Sequence, residues 1–241
     1  MWEQLKLEWQ EQNWPEVALS LIALNLSWLI APFTYLSHHT DKPFATHFTA
    51  LMIYLIMIGC AMIFTNQRRE TSLLALPELI IAVLTVLIGF AKLPILMLLM
   101  LLLPVYLLLL QLPQISLHNV VGLVTLGILL TLALPAATIY LVAHVLTWSS
   151  IVYCIPIMTA TWMFFTPLYI KEPKQQSFFI TGAWAILIIT LLTRPLGIGM
   201  LLAVILTLVS WFFLLATRRK KTNLAILTTL QLTIIFAAYF L

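Results

Sequence analysis

Three of the five histidines, His38, His39 and His47, fall in one short stretch beside Asp41, the only aspartate in the chain. Imidazole nitrogens and carboxylate oxygens are the usual ligands of Zn²⁺ and Fe²⁺. Adjacent histidines make an awkward start for a tetrahedral site. The candidate metal set is therefore His38 or His39 with Asp41 and His47. The competing reading is an interfacial loop, because polar residues gather at the wet ends of apolar segments. A second candidate is Glu78, which lies inside an apolar stretch just after Pro77. An ionisable group there is costly and is a functional candidate for that reason. At a helix start, its charge would also suit the helix dipole. A third group, Asn25, Trp28, Asn66 and Glu70, has the chemistry to line a ligand groove open to lipid.

Other polar groups inside apolar segments, among them Ser27, Tyr54, Tyr106, Thr161 and Gln231, read as hydrogen-bonding partners between helices. His118, His144, Lys92 and Arg194 read as boundary residues. Cys60 and Cys154 have neither a CxxC partner nor a nearby histidine at ligand spacing, and read as small buried residues. GxSxG, HExxH and Walker signatures are absent, and no cofactor is expected. Whether the chain is catalytic stays open.

The elements that must position these residues follow from composition. Of the 241 residues, 63% are hydrophobic and 8% charged. Soluble domains carry roughly a quarter charged residues, so the solvent for most of this surface is lipid. The net charge is +4. No basic segment is polar and large enough to bind nucleic acid, and no soluble catalytic domain is expected. The amino-terminal segment lacks the basic start of a cleaved signal peptide and holds Glu3, Glu8, Glu11 and Glu16. Residues 1–15 are expected to form an amphipathic helix on the membrane surface, with Trp2, Leu5 and Trp9 on one face.

Residues 16–241 are expected to form a single all-α domain, a polytopic transmembrane bundle of about nine spans. The spans fall near 16–36, 47–65, 72–91, 93–112, 119–145, 148–170, 176–194, 196–216 and 223–241. Pro135 is expected to kink the fifth. Tight turns at Lys92 and Arg194 make hairpins of the third with the fourth and the seventh with the eighth. Counted on alternate connections, nine basic residues fall on one side and three on the other, the latter being Lys42, Lys92 and Arg194. The positive-inside rule then gives a cytoplasmic amino terminus and an outward carboxyl terminus, and the expected location is the plasma membrane.

Several segments in order resemble the YwiC-like family of bacterial multi-pass membrane proteins. Asn25-Leu26-Ser27-Trp28 through Pro32-Phe33 occupies the place of that family's His-Gly-Ala-Trp motif and its Pro-Phe end. Gln67-Arg68-Arg69-Glu70, Leu132–Ala137 and Phe165–Glu172 resemble its later segments. The motif's histidine is Asn25 here, its glycine Leu26 and its alanine Ser27. The helix count and orientation are also similar to those of intramembrane prenyltransferases related to the ubiquinone-pathway enzyme. The loops that hold Mg²⁺ and a diphosphate in those enzymes contain no aspartate here, and one glutamate per loop is too few for that chemistry. The resemblance implies a lipid-filled bundle that binds or handles an isoprenoid or another lipid. The alternatives are a non-catalytic subunit held to a membrane protein partner and a small-solute transporter.

Overall fold

A computed structural model describes residues 2–39, 47–67, 72–112, 114–115, 117–194, 197–217 and 223–240. Among these residues the regular structure is entirely helical. The helices are α1 (Trp2–Glu11), α2 (Trp14–His39), α3 (Phe48–Gln67), α4 (Ala75–Gly89), α5 (Pro94–Leu110), α6 (Val120–Thr131), α7 (Ala137–Ala143), α8 (Trp148–Tyr169), α9 (Pro173–Leu192), α10 (Ile198–Thr217) and α11 (Leu224–Phe240). A π-helical turn, Leu132–Ala136, joins α6 to α7 into one continuous segment. Pro135, which has no N–H to offer, sits inside that turn, so the expected kink takes the form of a π-turn.

Six helical segments are long and apolar enough to cross a membrane: α2, α3, α6 through α7, α8, α9 and α10. In lipid a backbone must satisfy its own hydrogen bonds, which is why apolar runs of this length become helices. Three other apolar helices are shorter than the sequence suggests: α4 has 15 residues, and α5 and α11 have 17 each. The shortening lies at their ends. The chain makes a turn at Ser72–Leu74 before α4, and Phe90–Leu93 forms the α4–α5 connection, with Pro94 starting α5.

Consecutive helices pack side by side along most of the chain, and α2 packs against α11, so the last helix returns to the first long one. The α2 helix also touches α3, α7, α8 and the π-turn. The α4–α5 and α9–α10 pairs pack as the expected hairpins. The apolar core runs through this bundle and includes Trp28, Tyr54, Phe164 and Phe165.

Contacts between chain-distant residues define two ends. At the α1 end, Glu8 meets Ser72 and Leu74, Glu16 meets Leu224, and His118 meets Tyr169. At the far end, His47 meets Gly89, Tyr35 meets Thr147, and Arg194 meets Tyr153 and Tyr239. The helix α1 packs against the bundle through Glu8. Glu8 is buried against the start of α4, whereas Leu7 and Trp9 remain exposed.

Candidate functional site

At the α1 end, four stretches of chain bring four side chains together. Asn66 comes from the last turn of α3, Tyr106 from α5, His118 from the connection before α6, and Tyr169 from the last position of α8. The imidazole of His118 stacks on Tyr169 with ring centroids 5.3 Å apart. The Tyr106 hydroxyl donates to the Gly122 carbonyl at 2.6 Å.

Gly122 makes this geometry available. A Cβ there would lie 1.8 Å from the Leu117 carbonyl oxygen and 3.2 Å from the Tyr106 hydroxyl. Only a residue without a Cβ lets the 117–119 connection fold over the start of α6. Asn119 completes the turn by accepting the Gly122 N–H at 2.9 Å as the helix N-cap.

Asn66 donates through Nδ2 to the Met62 carbonyl at 2.7 Å. That leaves Oδ1 buried with no partner, and the buried Tyr169 hydroxyl has none either. Asn66 and Tyr106 are both electrostatic neighbours of the Tyr169 hydroxyl. A buried polar atom without a partner costs about 1–3 kcal/mol. A ligand hydroxyl that reached both atoms would accept from Tyr169 and donate to Asn66 Oδ1.

Asn25 and Trp28 do not join this group. They flank Gly59 of α3, where a Cβ would lie 3.2 Å from Asn25 Nδ2 and 3.8 Å from the Trp28 ring. Gly59 is two helical turns before Asn66, roughly 10 Å along the axis. The Asn25 Oδ1 and the Trp28 Nε1 are also buried without partners. Glu70 lies outside the described residues.

Glu78 occupies the first turn of α4, as expected. It is half-buried, and Cys60 of α3 is its electrostatic neighbour.

Each of the three clustered histidines binds a backbone carbonyl through Nδ1. His38 reaches Thr34 at 2.7 Å, His39 reaches Tyr35 at 2.8 Å, and His47 reaches Gly89 at 2.8 Å. A carbonyl only accepts, so Nδ1 carries the proton and Nε2 is the nitrogen left for a ligand. Among the described residues no three His, Cys, Asp or Glu side chains converge on a metal-sized site, and Asp41 lies outside them. His144 is accounted for structurally: it adopts a left-handed backbone (φ 59°) as the C-cap of α7 and donates its N–H to Tyr140.

Two of the four side chains at this site, Tyr106 and His118, read as packing and boundary residues in the sequence, and Tyr169 enters there only as part of the Phe165–Glu172 segment. A tyrosine at a helix end reads as an interfacial aromatic, and only the fold shows that its hydroxyl points inward. Compared with known proteins, the chain matches no family, no curated protein and no solved structure.

Proposed function

We propose that this is a multi-pass membrane protein of the plasma membrane that binds the hydroxyl-bearing end of a lipid or isoprenoid between Asn66 and Tyr169. The observation carrying this reading is the pair of buried, unpartnered atoms, Asn66 Oδ1 and the Tyr169 hydroxyl, at one end of an apolar bundle. An acceptor at Asn66 disfavours a phosphate and favours a group that can donate. The long tail of such a ligand would lie along the apolar helices.

The orientation belongs to the same proposal. The chain crosses nine times, with the α1 end cytoplasmic and the carboxyl terminus outward. Counted along the sequence on alternate connections, nine of the twelve basic residues fall on one side and three on the other. Helices of 15–17 residues cross a bilayer by local thinning and by Lys92 reaching up to headgroups. Membership of the YwiC-like family is likewise proposed, on the short segments quoted above, and supplies a scaffold rather than an activity. Native mass spectrometry of the full chain, extracted gently from its own membranes, tests the ligand. A stoichiometric lipid adduct is expected, and a bare chain contradicts it.

A further inference from the structure

The guanidinium of Arg194, at the far end of the bundle, is held in a cage of tyrosines. Its central carbon lies 3.9 Å from the Tyr153 ring centroid and 4.6 Å from that of Tyr239. Its Nη2 donates to the Tyr153 carbonyl and, at 3.0 Å, to the Tyr239 hydroxyl. Tyr239 also donates to the Tyr153 carbonyl, so both residues of the cage converge on one acceptor at the start of α8.

This cage fixes the cation without neutralising it. The Arg194 Nε–H is buried and has no partner, and among the described residues no carboxylate pairs with the guanidinium. The described acids, Glu3, Glu8, Glu11, Glu16, Glu78 and Glu172, all belong to helices or helix starts at the α1 end. A half-buried guanidinium with an unused N–H is costly until an anion meets it. Arginine presents its donors in a planar fork suited to phosphate oxygens, and here its orientation is set in advance.

We infer that the Arg194–Tyr153–Tyr239 cluster is a binding site for a single phosphate-type oxyanion at the far end of the bundle. Its level, at the helix ends, is that of lipid headgroups, and a lipid phosphate and a free phosphate share the chemistry required. The inference rests on the membrane reading but not on the Asn66–Tyr169 site, which lies at the opposite end.

The test is thermal unfolding of the full chain, stripped of lipid in a maltoside detergent, followed through the thiols of Cys60 and Cys154. Phosphatidylglycerol at a hundredfold excess over its dissociation constant should raise the midpoint by about 5–10 °C. Diacylglycerol, which has no phosphate, should not. The rise should vanish in Arg194→Gln and shrink in Arg194→Lys, which keeps the charge but not the fork. A rise with inorganic phosphate as well assigns the site to a soluble oxyanion, and a rise with phosphatidylglycerol alone assigns it to lipid. The inference is overturned if neither phosphate probe stabilises the wild type. It is overturned equally if Arg194→Gln, folded, keeps the full response. A response that emerges only in Asp41→Asn would show an internal ion pair in place of the site. If both arginine variants fail to fold, the wild-type comparison of phosphatidylglycerol with diacylglycerol still decides.

Discussion

The carboxylate of Glu8 accepts a hydrogen bond from the backbone N–H of Leu74, 3.3 Å away, across 66 positions of sequence. Leu74 is the N-cap of α4, and its own side chain cannot cap that helix. The α1 helix thus supplies from outside the acceptor that α4 lacks, and Ser72 adds a second hydrogen bond at 3.4 Å. Glu16 repeats the device at α11, accepting the Leu224 N–H at 3.1 Å. Negative charge at a helix start is favourable on its own account. Glu8 and Glu16 therefore each supply an acceptor to a helix start at the α1 end of the bundle.

Removing this cap should be felt. Glu8→Ala is expected to cost about 1–3 kcal/mol, because it leaves buried donors unpaired. Glu8→Gln should cost less, since its amide oxygen still accepts. Glu3→Ala, at an exposed position, should be silent. Thermal unfolding in detergent measures all three, and an unchanged Glu8→Ala would contradict the capping role.

Two glycines should respond in opposite directions. Gly122→Ala pushes a methyl into the Leu117 carbonyl and against Tyr106, so it should destabilise by roughly 1–3 kcal/mol and disturb the site. Gly182 is exposed on α9, with nothing within 4 Å of where its Cβ would sit. Gly182→Ala should stabilise by about 0.5–1 kcal/mol through the lower entropy cost of forming the helix. Equal effects at the two positions would mean that the Gly122 turn is not tight.

Topology can be read with reporter fusions. Nine crossings place alkaline phosphatase fused after Leu241 outside and active, and phosphatase fused after Gln67 or Thr217 inside and inactive. An active fusion after Thr217 would invert or change the crossing count.

Much of this fold is legible in the sequence because lipid leaves a chain few options. Apolar runs bounded by Pro, Gly or charge become helices: among the described residues each expected span is helical over most of its length, and six of these segments are long enough to cross a membrane. Where the reading fails, tertiary contacts have intervened. The α4 helix starts later than its apolar run because Ser72–Leu74 turns to meet Glu8. Pro135 produces a π-turn where a simple kink was expected. The Asn25, Trp28 and Asn66 group divides into two places, because position along α3 separates Gly59 from Asn66. Tyr169 carries no signal in its type or spacing, since its role depends on the 117–119 connection folding over α6. Arg194 reads as a snorkelling boundary residue. Its cage needs Tyr153 and Tyr239, which lie 41 and 45 positions away in the chain.

The most direct measurement compares lipid occupancy in the wild type, Tyr169→Phe and Asn66→Leu by native mass spectrometry after gentle extraction, with the unfolding midpoint of each. Tyr169→Phe removes an unpartnered buried hydroxyl, so the lipid-free protein should be as stable as the wild type or more so. The account predicts a one-to-one adduct in the wild type that falls at least about tenfold in affinity in both variants, the worth of one hydrogen bond of ~1.4 kcal/mol. Equal occupancy in all three proteins, or no adduct in the wild type, would contradict it.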